Sequence, residues 1–235
     1  VSALLESWPA IWLTLKLATI TVVILLLIGL PFAWWLAHYK GKLKPFFEAL
    51  VALPLVLPPT VLGFYLLTAF SPNSYLGSLW ITITGEQFIF SFNGILFGSI
   101  IYSLPFVIQP LLTAFSQLGT HVKLTISTLG ISPIRGFLFV ILPIIRPSII
   151  SAATLGFAHT LGEFGLILMI GGNIPGKTQV VSIALFNQVE SLQYEQAHAL
   201  SMFLLVISLV SLTLLYKFNR QARLFSAQQR HGALL

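Results

Sequence analysis

Five apolar runs dominate this chain, at roughly 9–37, 47–70, 92–117, 137–170 and 197–217. A bilayer core about 30 Å thick needs about 20 mainly apolar residues per helix, and each run supplies them. The first and fourth are long enough to begin or end outside the hydrocarbon. Only 8% of the residues are charged and 57% are hydrophobic, whereas soluble domains carry about 25% charged residues. Membrane barrels are built from alternating segments of about ten residues, a pattern this sequence lacks. The expectation is an all-α integral membrane protein with about five transmembrane helices, forming one domain over residues 1–235.

The charges orient the bundle, because Lys and Arg are retained on the cytoplasmic side. Lys40, Lys42 and Lys44 follow the first run, Lys123 and Arg135 follow the third, and Arg146 opens the fourth. Lys217, Arg220, Arg223 and Arg230 follow the fifth. All of these fall on one face if the N-terminus is outside and the C-terminus inside; only Lys16 and Lys177 dissent. Glu6, Glu86, Glu190 and Glu195 gather on the outer side. The first run is too long for a cleaved signal peptide, and its basic residues follow rather than precede it. The net charge of +6 therefore reads as membrane topology, not nucleic-acid binding.

Catalytic chemistry has little to work with. Cysteine and aspartate are both absent, which excludes disulfides and thiolate metal sites and most hydrolytic, Mg²⁺-dependent or aspartyl-phosphate chemistry. Gly171 to Thr178 fits the phosphate-loop pattern G-x-x-x-x-G-K-[ST]. That pattern needs an acidic residue to hold Mg²⁺. Here the topology places it outside the membrane, so it reads as a Gly/Pro turn where the fourth run exits. No metal site and no enzyme are expected.

Three interruptions of the apolar pattern carry functional readings. The run LPLVLPPTVLGFYLL holds Pro54, Pro58 and Pro59, each of which removes a backbone donor and kinks a helix. In a membrane the freed carbonyls are tolerated only against protein or a wet cavity. The segment is either a broken helix lining a pathway or a kinked packing helix. Leu161-Gly162-Glu163-Phe164-Gly165 buries a carboxylate deep in the fourth run, a functional site by default or else a structural Glu satisfied by neighbouring polar groups. His159, one turn earlier, is a partner for it or a packing residue. Between the third and fourth runs, His121–Pro143 is polar and basic. Gly130 suits a C-cap, Ser132 an N-cap and Pro133 the first helical position. Two short helices meeting at an angle on the inner face would offer a handle to a soluble partner; a plain basic loop would instead bind anionic headgroups.

Taken together, these residues resemble the membrane permeases of binding-protein-dependent ABC importers. Gly130, Val140 and Leu142-Pro143 have the spacing of that family's EAA loop, E-A-A-x₃-G-x₉-I-x-L-P. LPLVLPP at 53–59, TLGISPIRGF at 128–137, and LGEFG followed by GGNIPGKTQ at 161–179 look like its molybdate branch. The likeness runs from about Leu13 to Leu215; sulfate permeases share the TLG, LP and LGE(F/Y)G elements. The Glu-Ala-Ala falls on Leu124-Thr125-Ile126, so the acidic residue is missing and Lys123 and Thr125 are the polar substitutes.

The resemblance implies a type I ABC importer permease fold in a bacterial or archaeal inner membrane, and a transporter subunit for molybdate or tungstate. A sulfate or thiosulfate permease is the neighbouring alternative; a passive channel or a membrane-embedded enzyme is the alternative of another class. The implied partners are two copies of a separate ABC ATPase that binds ATP and Mg²⁺, a periplasmic or lipoprotein oxyanion-binding protein, a second copy of this chain, and lipid. No cofactor in this chain and no nucleic acid is implied. A coupling helix at about 122–132 would meet the ATPase, with Lys123, Thr125, Ser127, Thr128, Gly130, Ser132, Arg135 and Pro143 in the coupling region. Pro58, Pro59, Gly162, Glu163, Phe164 and Gly165 are the gate and pathway candidates. Because a carboxylate repels an oxyanion, Glu163 is expected to be a gate or packing element, hydrogen-bonded away from the path.

Overall fold

In the computed structural model of the chain, residues 6–232 are described, without the side chains of residues 119–121, 123, 124 and 218–232. The helices in chain order are α1 (Trp8–His38), α2 (Lys44–Val56), α3 (Pro59–Ala69), α4 (Tyr75–Thr84), α5 (Phe92–Gln117) and α6 (Gly119–Thr128). There follow α7 (Pro133–Ile144), α8 (Arg146–Leu161), α9 (Gly165–Gly171), α10 (Val181–Glu190) and α11 (Tyr194–Gly232). Within α7, Phe137–Ile141 is wound as a π-helix.

Among the described residues three helices, α1, α5 and the Tyr194–Lys217 part of α11, are long and apolar enough to cross a membrane alone. The two other spans are broken. α2 and α3 meet at a bend of 108°, and α7 and α8 at 75°. The sequence left 47–70 as either a broken or a kinked helix, and it is broken; within 137–170 the bend at Ile145 was not expected. The first breaks at Leu57-Pro58, where Pro58 and Pro59 bring no backbone donor to continue the ladder. The second breaks at Ile145, ahead of Pro147, and again at 162–164, before α9.

Despite its bend, the α2–α3 pair runs from one end of the bundle to the other. Val51 of α2 packs in one core cluster with Leu36, Phe115, Ile126 and Ile141. Phe70, just past α3, stacks on Phe88 at 4.3 Å and meets the edge of Phe97 at 5.4 Å. The first group sits beside the polar interlude and the second at the opposite end of α5. Two helices were not expected at all. α4 is capped by Ser74, whose hydroxyl accepts from the Gly77 amide at 3.0 Å, and is closed by Gly85 at φ +76°. α10 has no capping side chain.

α1, α5 and α8 pack mutually and form the centre of the bundle. Their approach is close enough that a Cβ on Gly156 would lie 2.6 Å from Val107 Cγ2, so no larger residue fits without displacing α5. α9 packs on α3 and α5, while α11 lies against α8 and α10.

The absence of cysteine makes the orientation directly testable. In whole cells, Lys177→Cys is expected to react with a membrane-impermeant thiol reagent, and Lys42→Cys only after the cytoplasmic side is opened. Labelling of both from outside would refute five spans.

Candidate functional site

The two helix breaks meet. Pro59 and Thr60, which begin α3, sit against Gly165, which begins α9. A Cβ on Gly165 would lie 3.2 Å from Thr60 Cγ2 and 3.4 Å from the Pro59 ring. Deeper in the same pair, Gly63 of α3 packs on Met169 of α9. Pro58, Pro59, Gly162, Phe164 and Gly165 are exposed or half-buried at this junction, whereas Glu163 is only 4% exposed.

Helix α10 braces the second break. Its first amide, Val181 N–H, donates to Thr14 Oγ1 at 2.8 Å, and the Thr14 hydroxyl itself donates to the Ala10 carbonyl. The next residue, Ser182, donates through its hydroxyl to the Glu163 carbonyl at 2.5 Å. Phe186 adds a ring contact with Phe164 at 5.1 Å. The unwound turn is therefore held by groups far away in sequence. None of Thr14, Thr60 or Ser182 was singled out from sequence. Each is a small hydroxyl in an apolar run, and nothing local distinguishes it from other Thr and Ser residues.

The Glu163 side chain departs from its expected role. Its carboxyl oxygens form no hydrogen bond among the described residues, and the Ser99 hydroxyl beside it forms none either. The two lie within interacting range but short of full hydrogen-bond geometry. His159 is not its partner. The His159 ring stacks on Phe106 at 3.9 Å and packs on Tyr102 at 4.9 Å, and its Nδ1 lies 2.9 Å from Ser103 Oγ. The proton positions in this network follow from counting donors. Thr160 uses its one hydroxyl hydrogen on the Gly156 carbonyl, so it can only accept from Ser103, 2.9 Å away. Ser103 has then used its own hydrogen, and His159 Nδ1–H must donate to it.

The coupling candidates lie at the other end of α7 and α8. Thr125, Ser127, Thr128, Gly130, Ser132, Arg135 and Pro143 are all exposed there; the side chain of Lys123 lies outside the described residues. α6 ends in a Schellman motif. Ile131 N–H donates to the Ile126 carbonyl, Gly130 N–H to that of Ser127, and Gly130 takes φ +66°. Ser132 occupies the N-cap position before Pro133, but its side chain caps nothing. α7 then returns close over α6, where a Cβ on Gly136 would lie 2.6 Å from Ile126 Cγ2. The interlude is thus a pair of short helices, as expected.

The phosphate-loop pattern at 171–178 has another purpose. It follows a helix rather than a strand, and Thr178 ties the turn by donating to the Gly171 carbonyl at 2.6 Å and accepting from Ile174 N–H at 3.0 Å.

Comparison with known proteins decides the family. Residues 29–224 match the family of binding-protein-dependent transport system inner membrane components. The chain belongs to that family of inner-membrane transport permeases. A molybdenum transport system permease protein, ModB of Azotobacter vinelandii, is 49% identical over 211 residues, covering 90% of this chain and 93% of that protein. A probable sulfate transport system permease protein, cysT of Marchantia polymorpha, is 33% identical over 94% of this chain and 75% of its own length. In solved structures, the fold matches a chain of a bacterial ABC transporter involved in alginate import, with a TM-score of 0.73 at 17% identity over 95% of this chain and 83% of that one.

The touching breaks give a direct test of the site. Gly165→Val drives two further carbons toward the rigid Pro59 ring. We expect transport to fall about tenfold or more, equivalent to ~1.4 kcal/mol, with the permease still present in the membrane. Wild-type transport in this variant would show that the contact between the breaks is not functional.

Proposed function

We propose that this chain is the membrane subunit of an ATP-driven importer of tetrahedral oxyanions, with molybdate as substrate and tungstate as its close analogue. The observation that carries the reading is the 49% identity to a molybdenum permease along almost the full length of both chains, against 33% for the sulfate permease, which this chain covers only in part.

On this reading two copies of the chain form the path and the paired breaks are its gate. The N-terminus of α3 opens at the break, and a helix N-terminus favours negative charge. The helices that meet at the breaks carry no Lys or Arg beyond Lys44, which begins α2, and Arg146, which begins α8, each a full helix away. That sparseness suits conduction, because an anion must bind weakly enough to leave. A fixed cation at mid-membrane would also cost about 2.5–3.5 kcal/mol on insertion scales. Tight selectivity is then the work of the outer oxyanion-binding protein.

Energy enters at the opposite end. The exposed face of α6, with Thr125, Ser127 and Thr128, docks on a separate ATPase subunit, one per permease copy, which binds the ATP and Mg²⁺. The family's acidic residue is absent, so this contact rests on hydroxyls and on shape. Ile126 turns inward to the core and is 7% exposed.

Competition uptake in cells expressing the permease with its ATPase tests the substrate. We expect ATP-dependent molybdate uptake that tungstate suppresses and sulfate leaves largely intact; sulfate uptake unaffected by molybdate would overturn the assignment. The coupling corner has its own test. Gly130→Val places a β-branched residue at positive φ, where it is a genuine outlier. It should weaken co-purification of the ATPase and lower uptake, with Gly130→Asn affected less because Asn tolerates that conformation. Equal ATPase retention in all three proteins would remove this corner from the docking site.

A further inference from the structure

The Glu163 carboxyl is a deeply buried ionisable group with no counter-charge among the described residues. α3, α5, α9 and α10 contribute no Lys or Arg to it, and the one Arg of α8 opens that helix at its far end. Lys16 of α1 is engaged elsewhere, with its ammonium 4.6 Å from the centre of the Phe92 ring. Tyr102 on α5 lies within electrostatic range of Glu163, and His159, one turn earlier in sequence, is turned to Ser103, to which its Nδ1–H is committed. Both carboxyl oxygens are sealed from solvent and unpaired.

An ionised carboxylate in such surroundings is paired, or it takes up a proton. A buried charge left without its partner is strongly destabilising, and among the described residues Glu163 has none. A protonated carboxyl changes the chemistry of the site. It carries no charge to repel an anion, and it gains one O–H donor.

We propose that Glu163 serves the oxyanion path as an uncharged carboxylic acid whose O–H donates a hydrogen bond to the substrate when the paired breaks open. This rests on the importer reading above and names the group that greets the anion at its gate. It replaces the expectation that Glu163 is a hydrogen-bonded packing element, since a carboxyl without a hydrogen bond latches nothing. In this structure the Ser99 hydroxyl is the acceptor beside it. A tetrahedral dianion is a far stronger one, because hydrogen bonds to ionised acceptors are roughly twice as strong as neutral ones. The arrangement also explains how a conduit can hold an acid in an anion path without a fixed charge of either sign.

Infrared difference spectroscopy on the complete transporter in lipid at neutral pH tests the protonation state. The C=O stretching band of a protonated carboxyl should be present in the wild type, absent in Glu163→Gln, and shifted to lower frequency by molybdate during ATP turnover. Glu163→Asp, which moves the band instead of removing it, supplies the assignment if the Gln variant does not assemble. A wild type without the band, or a band indifferent to molybdate, overturns the proposal. Uptake gives the second reading. Gln, an uncharged donor, should exceed Ala by about tenfold or more among variants that retain the ATPase; Gln no better than Ala overturns it. If the wild type shows no ATP-dependent molybdate uptake, the importer reading fails, whereas the infrared band reports on Glu163 independently of that outcome.

Discussion

In hydrocarbon no water is available to pair a backbone N–H or C=O, and each group left over costs several kcal/mol. The rest of this structure depends on how that constraint is met where the fourth span unwinds. The Glu163 carbonyl, freed by the break, is taken by the Ser182 hydroxyl. The helix that supplies Ser182 has no cap of its own and is anchored instead by Thr14 of α1. Two hydroxyls thus let the chain carry a non-helical turn between α8 and α9. The second span solves the same problem by subtraction. Pro58 and Pro59 have no N–H groups to leave unpaired, and the Pro58 carbonyl accepts from Val61 and Leu62. One break is braced from outside and the other is self-sufficient, which is why only the first needs α10 beside it.

Hydropathy and the placement of Lys and Arg made the apolar spans and the polar corner legible, because length and charge report them directly. Gly130 was legible for a similar reason: the Leu-Gly-Ile-Ser-Pro run leaves few ways to end one helix and start the next, and the Schellman motif found there is one of them. The breaks at Pro58-Pro59 and Gly162–Phe164 were visible as interruptions, but not as neighbours. Nothing in the composition of either segment says that Gly165 will rest on Pro59. The brace was beyond reach for the same cause. Thr14 and Val181 are bonded across 167 residues, and a threonine that caps a remote helix looks like any other threonine in an apolar run. His159 misled in the opposite direction. Its one-turn spacing from Glu163 invites a pair, yet the helix ends between them, and Ser103 on α5 takes the imidazole instead.

The remaining question is how the polar corner and the breaks act on one another when they lie at opposite ends of the bundle. The shortest covalent route is α7 followed by α8. α7 is locked to α6 at Gly136 and Ile126, and Ile141 and Ile145 are sunk in the same core cluster as Ile126. From the bend at Ile145, α8 runs 16 residues to Leu161, a rigid rod of about 24 Å at 1.5 Å per residue. Its far end is the broken turn. Were the ATPase to dock on α6 as proposed, a displacement there would reach that turn with little loss, because α8 is packed tightly on α1 and α5 at Gly156 and would slide or tilt as a unit more easily than bend. The turn itself is the compliant point, held by the Ser182 hydroxyl, the Phe164–Phe186 contact and two long backbone hydrogen bonds. The arrangement concentrates motion where two helix ends and one buried acid meet, at the far end of a helix that moves as a unit.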